Sequence, residues 1–281
     1  MKRILILVVL VVIAGVAGVV ARSSSGDFRG LVSHQNTGDA REEIRQTYQL
    51  SPNARVEVAG LNGPVNIETS ATSTAEVYIE RNASSKEALE RRKVTIEADA
   101  NSLRIRGEKS DSGFFSRLFG GSGSERVTLK LPRQISLSVK GVNGPFVTGD
   151  IDGAVDVAGI NGRVQIANAV GRASFKGING NMVVGLKQIA QDGVTLSGIN
   201  GNIELRFGAD VNADFDAHGM NGSVVSDLPN VSIDKSKRGN YWARIGNGGT
   251  GITAKGINGN IRLTRGVEAA PAAAEAAAGQ N

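Results

Sequence analysis

The stretch Lys176–Asn181, KGINGN, occurs again at Lys255–Asn260, and the four-residue core of this stretch decides the fold. The core is a glycine, an apolar residue, an asparagine and a glycine. From the third copy onward the copies begin 18, 21, 21 and 37 residues apart, and a period near 20 residues is typical of stacked repeats. The core occurs seven times, beginning at Gly60, Gly141, Gly159, Gly177, Gly198, Gly219 and Gly256.

The residues around each core alternate between apolar and polar. If the first glycine is position 0, apolar residues stand at positions −4, −2, +1 and +5 of the copies, with small or polar residues between them. Period-two alternation on both sides of the core indicates two half-buried strands.

Position +1 distinguishes a hairpin from a corner. A two-residue hairpin turn at Asn-Gly would direct position +1 to solvent, whereas a corner between strands turns it inward. Because this position is apolar in every copy, the pattern predicts an all-β protein built as a β-solenoid; seven independent turns are the alternative. The residues at +1 are Leu61, Val142, Ile160, Ile178, Ile199, Met220 and Ile257.

The corners have a chemical reason for their composition. Glycine accepts positive φ and close backbone approach, and asparagine tolerates the left-handed region. Asparagines stacked about 4.8 Å apart can also exchange side-chain amide hydrogen bonds along the stack. The predicted structural corners are Asn62, Asn143, Asn161, Asn179, Asn200, Asn221, Asn258, Gly63, Gly144, Gly162, Gly180, Gly201, Gly222 and Gly259.

Two further patterns concern the shape of the stack. A third apolar position recurs at Ile151, Val170, Ile189 and Val211, which predicts three sides in each turn of the solenoid. The 37-residue gap contains DKSKRGNYWARIGNGG at 234–249, which we interpret as a hairpin-like insertion that leaves the stack.

Five segments are predicted along the chain. Residues 1–22 combine Lys2 and Arg3 with an apolar run, which indicates a signal peptide or an N-terminal membrane anchor, and residues 23–40 a linker. Residues 41–140 predict an antiparallel β region that caps the stack, with one short helix in SSKEALERR beginning at Ser84 or Ser85. Residues 141–266 are the solenoid repeats, and 267–281 a disordered Ala-rich tail.

Composition excludes several functions. The chain has no cysteine, so a disulfide, a thiolate metal site and a cysteine nucleophile are excluded. Its net charge is +5, and the basic residues are interspersed with acids, which argues against nucleic-acid binding. The N-terminal segment predicts an exported, periplasmic or extracytoplasmic protein.

Candidate reactive residues are few. His218 follows Asp214 and Asp216 on one strand face, but these residues are spread too widely for a metal site. Acids do not succeed each other at position −3 of the copies, and we find no aromatic side chain at an outward position that could hold a sugar. We therefore expect no catalytic residue, no cofactor and no metal.

One apolar segment stands apart from the repeats. In SGFFSRLFGGSGS, at 112–124, the side chains of Phe114, Phe115, Leu118 and Phe119 recur at helical spacing between glycine-serine flanks. They form either a lid on the sheet or an exposed contact patch for a partner or a membrane surface.

The pattern resembles a bacterial family of exported adhesin-like domains, mostly of unknown function. The resemblance covers about Glu42 to Arg265, through EEIRQTYQLSPNARVEVAGLNGPVNIET, SSKEALERRKVTIEA, ERVTLKLPRQISLSVKGVNG and the later copies. It implies a solenoid-like protein of the cell envelope and supplies no catalytic residues. We therefore expect a non-catalytic structural or binding protein whose partner is an envelope protein, a glycan or a membrane surface. An envelope-stress sensor or accessory protein that binds a peptide or lipid is the alternative, and a polysaccharide-acting enzyme is a weaker one.

Overall fold

The repeats pair with each other through parallel β-ladders in which the motifs stay in register. The computed structural model describes residues 40–109, 123–229 and 231–266. Within these ranges Asn161 lies opposite Asn179, which in turn lies opposite Asn200. Each copy of the motif therefore repeats the backbone path of its neighbour, because the same apolar positions must face the same core.

The strands form two large mixed sheets, which confirms the all-β class. Sheet 1 has the order β1 (Ala40–Gln49), β4 (Thr74–Ala83), β7 (Gly123–Pro132), β3 (Val65–Ser70), β9 (Phe146–Ile151), β11 (Val164–Ala169), β13 (Met182–Leu186), β15 (Ile203–Phe207), β21 (Ile261–Arg265), β17 (Val224–Ser226). Sheet 2 has the order β18 (Ile233–Lys237), β19 (Asn240–Ile245), β16 (Ala213–His218), β20 (Thr250–Asn258), β14 (Val194–Asn200), β12 (Ala173–Asn179), β10 (Val155–Asn161), β8 (Ile135–Asn143), β2 (Ala54–Ala59), β6 (Ser102–Lys109), β5 (Arg92–Asp99).

The two sheets share one apolar core. The residues at positions −4, −2, +1 and +5 of all seven copies are buried in it, and position +1 is at most 7% exposed in every copy. The prediction that position +1 points inward is confirmed. Each buried aliphatic side chain of this kind stabilises the fold by about 1.5–3 kcal/mol relative to exposure.

A bulge at position 0 turns position +1 inward. Between β10 and β12 the ladder pairs Ala158 with Lys176 and resumes with Ile160 opposite Ile178. The glycines at position 0 of both strands, Gly159 and Gly177, are thus left out of the pairing while the register is kept. The φ angle of Gly159 is +65°, in the left-handed region that L-residues avoid. Since the side-chain period of a strand is two, one extra residue moves every following side chain to the other face.

The prediction of three sides was wrong, because the strands within the described residues form two sheets. Of the residues at the third apolar position, only Ile151 belongs to a strand. Val170, Ile189 and Val211 lie in connecting segments and are half-buried, the last two against the core. The N–H of Val170 donates to the carbonyl of Ile151 at 3.0 Å. The segments are long enough to turn the chain and to cover the core, but they form no third sheet.

The insertion at 234–249 forms the expected hairpin, but it stays in the stack. Strand β19 pairs antiparallel with β16, and β18 lies at the edge of sheet 2. The chain then returns as β20, which lies between β14 and β16. The copy at Gly256 is therefore inside the stack and the copy at Gly219 at its end, so the order along the chain is not the order in space.

The region before residue 141 is mixed rather than antiparallel. Strands β1, β4 and β5 pair antiparallel with their neighbours, but β2 and β3 pair in parallel with the repeat strands β8 and β9. The copy at Gly60 is therefore itself part of the stack. The helix α1 (Lys86–Arg91) is present as predicted, and the N–H of Ala88 donates to the hydroxyl of its N-cap residue, Ser85.

Four predicted segments lie outside the described residues: the N-terminal apolar segment, most of the linker, the Ala-rich tail and the patch of Phe114, Phe115, Leu118 and Phe119. Among the described residues, none of the helices has the length and apolar character that crossing a membrane requires.

Candidate functional site

The corner asparagines form one continuous ladder of hydrogen bonds. Six of the seven side-chain amides donate to the side-chain carbonyl of the asparagine on the neighbouring strand, over 2.7–3.2 Å. Six of the seven side chains belong to exposed residues, so the ladder lies on the surface along the edge between the sheets. In spatial order the ladder contains Asn221, Asn258, Asn200, Asn179, Asn161, Asn143 and Asn62.

The ladder ends at a buried charged pair. The side-chain N–H of Asn62 donates to the carbonyl of Gly123 at 2.7 Å, and its backbone N–H donates to Oε2 of Glu125 at 2.8 Å. Glu125 is 4% exposed and accepts from Arg92, whose Nε lies 3.2 Å from Oε1. The carboxylate is thus paired and hydrogen-bonded, as a buried charge requires. The sequence offered no sign of this cap.

The left-handed backbone that we expected at the asparagines is found only at the glycines. Among the described residues other than glycine, Asn53 alone has a positive φ, whereas both glycines of every corner have one. The hydrogen bonds of the ladder, and not the backbone conformation, therefore explain why asparagine occupies this position of the corner. A second, shorter series follows it at position +4, where the backbone N–H of Asn202 donates to Oδ1 of Asn181 and that of Asn260 to Oδ1 of Asn202.

Replacing Asn200 with Ala tests the ladder. Asn200 donates to Asn179 and accepts from Asn258, so the substitution removes two hydrogen bonds and should destabilise the protein by about 1–2 kcal/mol. The matched control is Asn221→Ala at the ladder's end, which removes one such bond and should cost about half as much. Urea unfolding of the full chain measures both. If both variants lost the same free energy of unfolding, the hydrogen bonds of the ladder would not contribute additively and the prediction would be wrong.

Asp214, Asp216 and His218 each contact a neighbouring polar side chain. Nε2 of His218 lies 3.0 Å from Oδ1 of Asp216, while Asp214 faces Arg244 at 3.3 Å. The three side chains of the DFDAH stretch therefore do not converge on one point. No group of three or more His, Cys, Asp or Glu residues within the described ranges is arranged to hold a metal.

The perturbed carboxyl groups are shifted toward ionisation. The hydroxyl of Tyr78 donates to Glu80 at 2.7 Å and lowers the pKa of that carboxyl, with smaller contributions from Arg41 and Arg126. The backbone N–H of Asn101 lowers the pKa of Asp99 at 2.7 Å. A glycosidase instead needs a carboxyl whose pKa is raised, so that it can protonate the leaving group.

One outward aromatic side chain was missed by the sequence analysis. Trp242 lies on β19, faces solvent and is 38% exposed. The guanidinium of Arg244 lies 5.3 Å from the centre of its ring, within the range of a cation–π contact. The residue went unnoticed because the hairpin was expected to leave the stack, whereas it forms the last strands of sheet 2.

A cavity of about 510 Å³ lies at the turns that join the sheets, beside Pro52, Thr72, Arg133 and Asp152. Arg133 and Asp152 form an ion pair at 3.1 Å across its wall. Hydrogen bonding to Asp152 raises the pKa of Arg133. Beyond this ion pair, the polar side chains that line the cavity are those of Ser51, Ser70, Thr72, Ser73 and Gln134.

Comparisons with known proteins find solved structures that are similar to the chain at low sequence identity. No family model matches it, and no curated protein matches it. A "putative cell adhesion protein" from Clostridium sporogenes is 14% identical over 80% of this chain and 100% of that one, with a TM-score of 0.39. A "putative adhesin" from Parabacteroides merdae is 13% identical over 79% and 95%, with a TM-score of 0.27.

The third structure is a "putative lipid binding protein" from Parabacteroides distasonis, 11% identical over 79% of this chain and 96% of that one, with a TM-score of 0.25. Likenesses at this level identify neither a ligand nor an activity for the chain described here.

Proposed function

We propose that the protein is a non-catalytic, adhesin-like binding module of the cell envelope, built as a β-solenoid. The observation that carries this proposal is the register of the repeats. Because every repeat strand lies in register with its neighbours, each outward position becomes a straight column of side chains along the stack. Long, regular surfaces of this kind are what stacked-repeat proteins use for binding.

The chemistry of the surface supports binding rather than catalysis. Two outward carboxylates of the repeats are held by a neighbouring side chain, Asp156 by Arg172 and Asp216 by His218. The two perturbed carboxyls, Glu80 and Asp99, have lowered pKa values. A polysaccharide-acting enzyme would need one raised carboxyl pKa beside an ionised carboxylate.

The segments outside the described residues complete the proposal. Residues 1–22 export or anchor the chain, 23–40 separate it from the membrane, and 267–281 form the tail. Within residues 41–140 the copy at Gly60 continues the stack of 141–266, and β1 and β5 end the two sheets. The corner residues keep the stack rigid. The second candidate, an accessory protein of envelope-stress signalling, differs in requiring a partner in its own membrane.

The experiment uses immobilised full-length protein, washed free of detergent, and three purified envelope fractions: protein-free glycan, lipid vesicles and envelope proteins. We expect saturable retention of at least one fraction. The control is the Ile178→Asp variant, which should not fold. Retention of no fraction, or equal retention by the unfolded control, would contradict a binding role.

The segment around Phe114, Phe115, Leu118 and Phe119 has its own test. If the four side chains are a lid on the sheet, changing all of them to serine removes about 1.5–3 kcal/mol of apolar burial at each, and the variant should misfold. This is the outcome we expect. If they are a contact patch for a partner or membrane, the thermal stability should change by less than about 1 kcal/mol and vesicle binding should fall.

A further inference from the structure

The outer face of sheet 2 carries a column of cations on every second strand. At position −1 of the repeats, the pairing places Lys140, Ala158, Lys176, Ser197 and Lys255 in one line. The line continues in the other direction through Ala59 to Arg106. Large cationic residues thus alternate with small ones across seven neighbouring strands.

The spacing of the cations follows from the geometry of the sheet. Neighbouring strands lie about 4.8 Å apart, so consecutive cations are about 9.6 Å apart, and Arg106 and Lys255 about 29 Å. Ala59, Ala158 and Ser197 leave shallow gaps between the long side chains. A regular row of this length is an extended binding surface rather than a pocket.

The three lysines are free to bind an anion. Lys140, Lys176 and Lys255 are exposed, and none forms an ion pair with another group of the described ranges. The acids of the adjacent column are already engaged: Glu57 by Arg106 at 2.9 Å, Asp156 by Arg172 at 2.8 Å and Asp216 by His218 at 3.0 Å. Since the three lysines are unpaired among the described residues and the neighbouring acids are engaged, the net charge of these two columns is positive.

Polar neighbours flank the column on both sides. Ser174, Thr195 and Thr253 occupy consecutive positions of the adjacent column and offer hydroxyl groups. On the other side, across the bulge, lies the exposed asparagine ladder, whose amides both donate and accept. Charged groups in a row with hydroxyls and amides beside them suit a polymer that carries both acidic groups and many hydroxyls.

We propose that this face binds a linear anionic polysaccharide in which acidic and neutral sugars alternate, lying along the stack. A pyranose ring in an extended chain is about as long as one strand spacing, so an alternating polymer presents one carboxylate to each cation. The neutral ring between two acidic ones lies over the small residues. This inference rests on the proposed binding function and specifies its ligand.

The test uses hyaluronan, in which glucuronate alternates with a neutral amino sugar, and the immobilised full chain at low and high salt. We expect saturable binding that weakens as salt rises, because exposed charges are screened. The triple variant Lys140→Ala, Lys176→Ala and Lys255→Ala should bind about tenfold or more weakly, from three lost ion pairs. Thermal unfolding should be unchanged, since all three side chains are exposed.

Two controls distinguish the effect of the spacing of the cations on binding from the effect of the net charge. Removing three other exposed cations, by Arg163→Ala, Lys187→Ala and Arg265→Ala, lowers the net charge equally and should reduce binding less than about twofold. Exchanging Lys176 and Ser197 keeps the charge but breaks the alternation, and it should weaken binding by about threefold or more. Equal losses from the two triple variants, or full binding by the exchange variant, would overturn the proposal.

The same variants are applied to anionic phospholipid vesicles. Loss of vesicle binding by the lysine triple variant, with no binding of hyaluronan by the wild type, would assign the face to a membrane surface and overturn the glycan proposal. If the wild type retains an envelope fraction but not hyaluronan, the ligand class is wrong and the binding role stands. If it retains neither, both fail.

Discussion

Replacing Ile178 with Asp should abolish folding, whereas replacing Lys176 with Asp should leave the stability nearly unchanged. Ile178 is 1% exposed and lies between Ile160 and Ile199 on the neighbouring strands. The substitution removes a buried side chain, which costs about 2–5 kcal/mol, and buries a carboxyl group without a partner, which costs several more. Since the free energy of unfolding of natural domains is about 5–15 kcal/mol, the loss is comparable to the entire stability of the protein.

The control is two residues away and faces outward. Lys176 is exposed and makes no ion pair with the described residues, so Lys176→Asp should change the free energy of unfolding by less than about 0.5 kcal/mol. Circular dichroism and urea unfolding of both variants measure the difference. Comparable losses would show that the inward and outward positions of the repeat have been assigned to the wrong faces.

The repeat pattern contained enough information to predict which side chains face the core. Position +1 was informative because its apolar character conflicted with simple alternation, and the bulge at Gly159 is the physical resolution of that conflict. The asparagine ladder was predictable for the same reason, since identical residues in register must lie beside each other. These inferences need only the local repeat.

The order of the strands could not be predicted, because the copies of the motif are nearly interchangeable. Two copies, the one at Gly256 and the one at Gly219, could each pair with the strand that contains Asn200. The sequence alone does not decide which of them is its neighbour in the sheet. The hairpin decides: β19 pairs antiparallel with β16 and makes β16 the end of the parallel ladder. Only the inserted position of β20 places Lys255 two strands from Lys176.

The burial of polar side chains could not be predicted from the sequence either. Arg81 reads as one charge in an alternating strand, yet it is 7% exposed and donates to Glu42 and to the carbonyls of Leu89 and Arg92. Its partners come from β1 and from the end of α1. No local period predicts such a contact, because it depends on how the helix packs against the sheet.

The two glycines of the corner motif should respond very differently to substitution, although the sequence treats them alike. In Gly201 an added Cβ would lie 2.3 Å from the carbonyl oxygen of Gly180 and 2.6 Å from its carbonyl carbon, so the strands of the stack would have to separate. Backbone atoms cannot move aside as a flexible side chain can. Gly201→Ala should therefore cost about 4 kcal/mol or more, in the range of the most damaging single substitutions.

The matched variant is Gly256→Asn, at position 0 of another copy. Gly256 has a φ of +61°, but a Cβ there would meet no atom within 4 Å, so the cost is that of the left-handed backbone alone. That cost is about 1 kcal/mol, and asparagine tolerates the region better than other L-residues. Thermal and urea unfolding compare the two variants. A mild effect at Gly201 together with a severe one at Gly256 would show that positive φ, and not the contact between neighbouring strands, limits the corner.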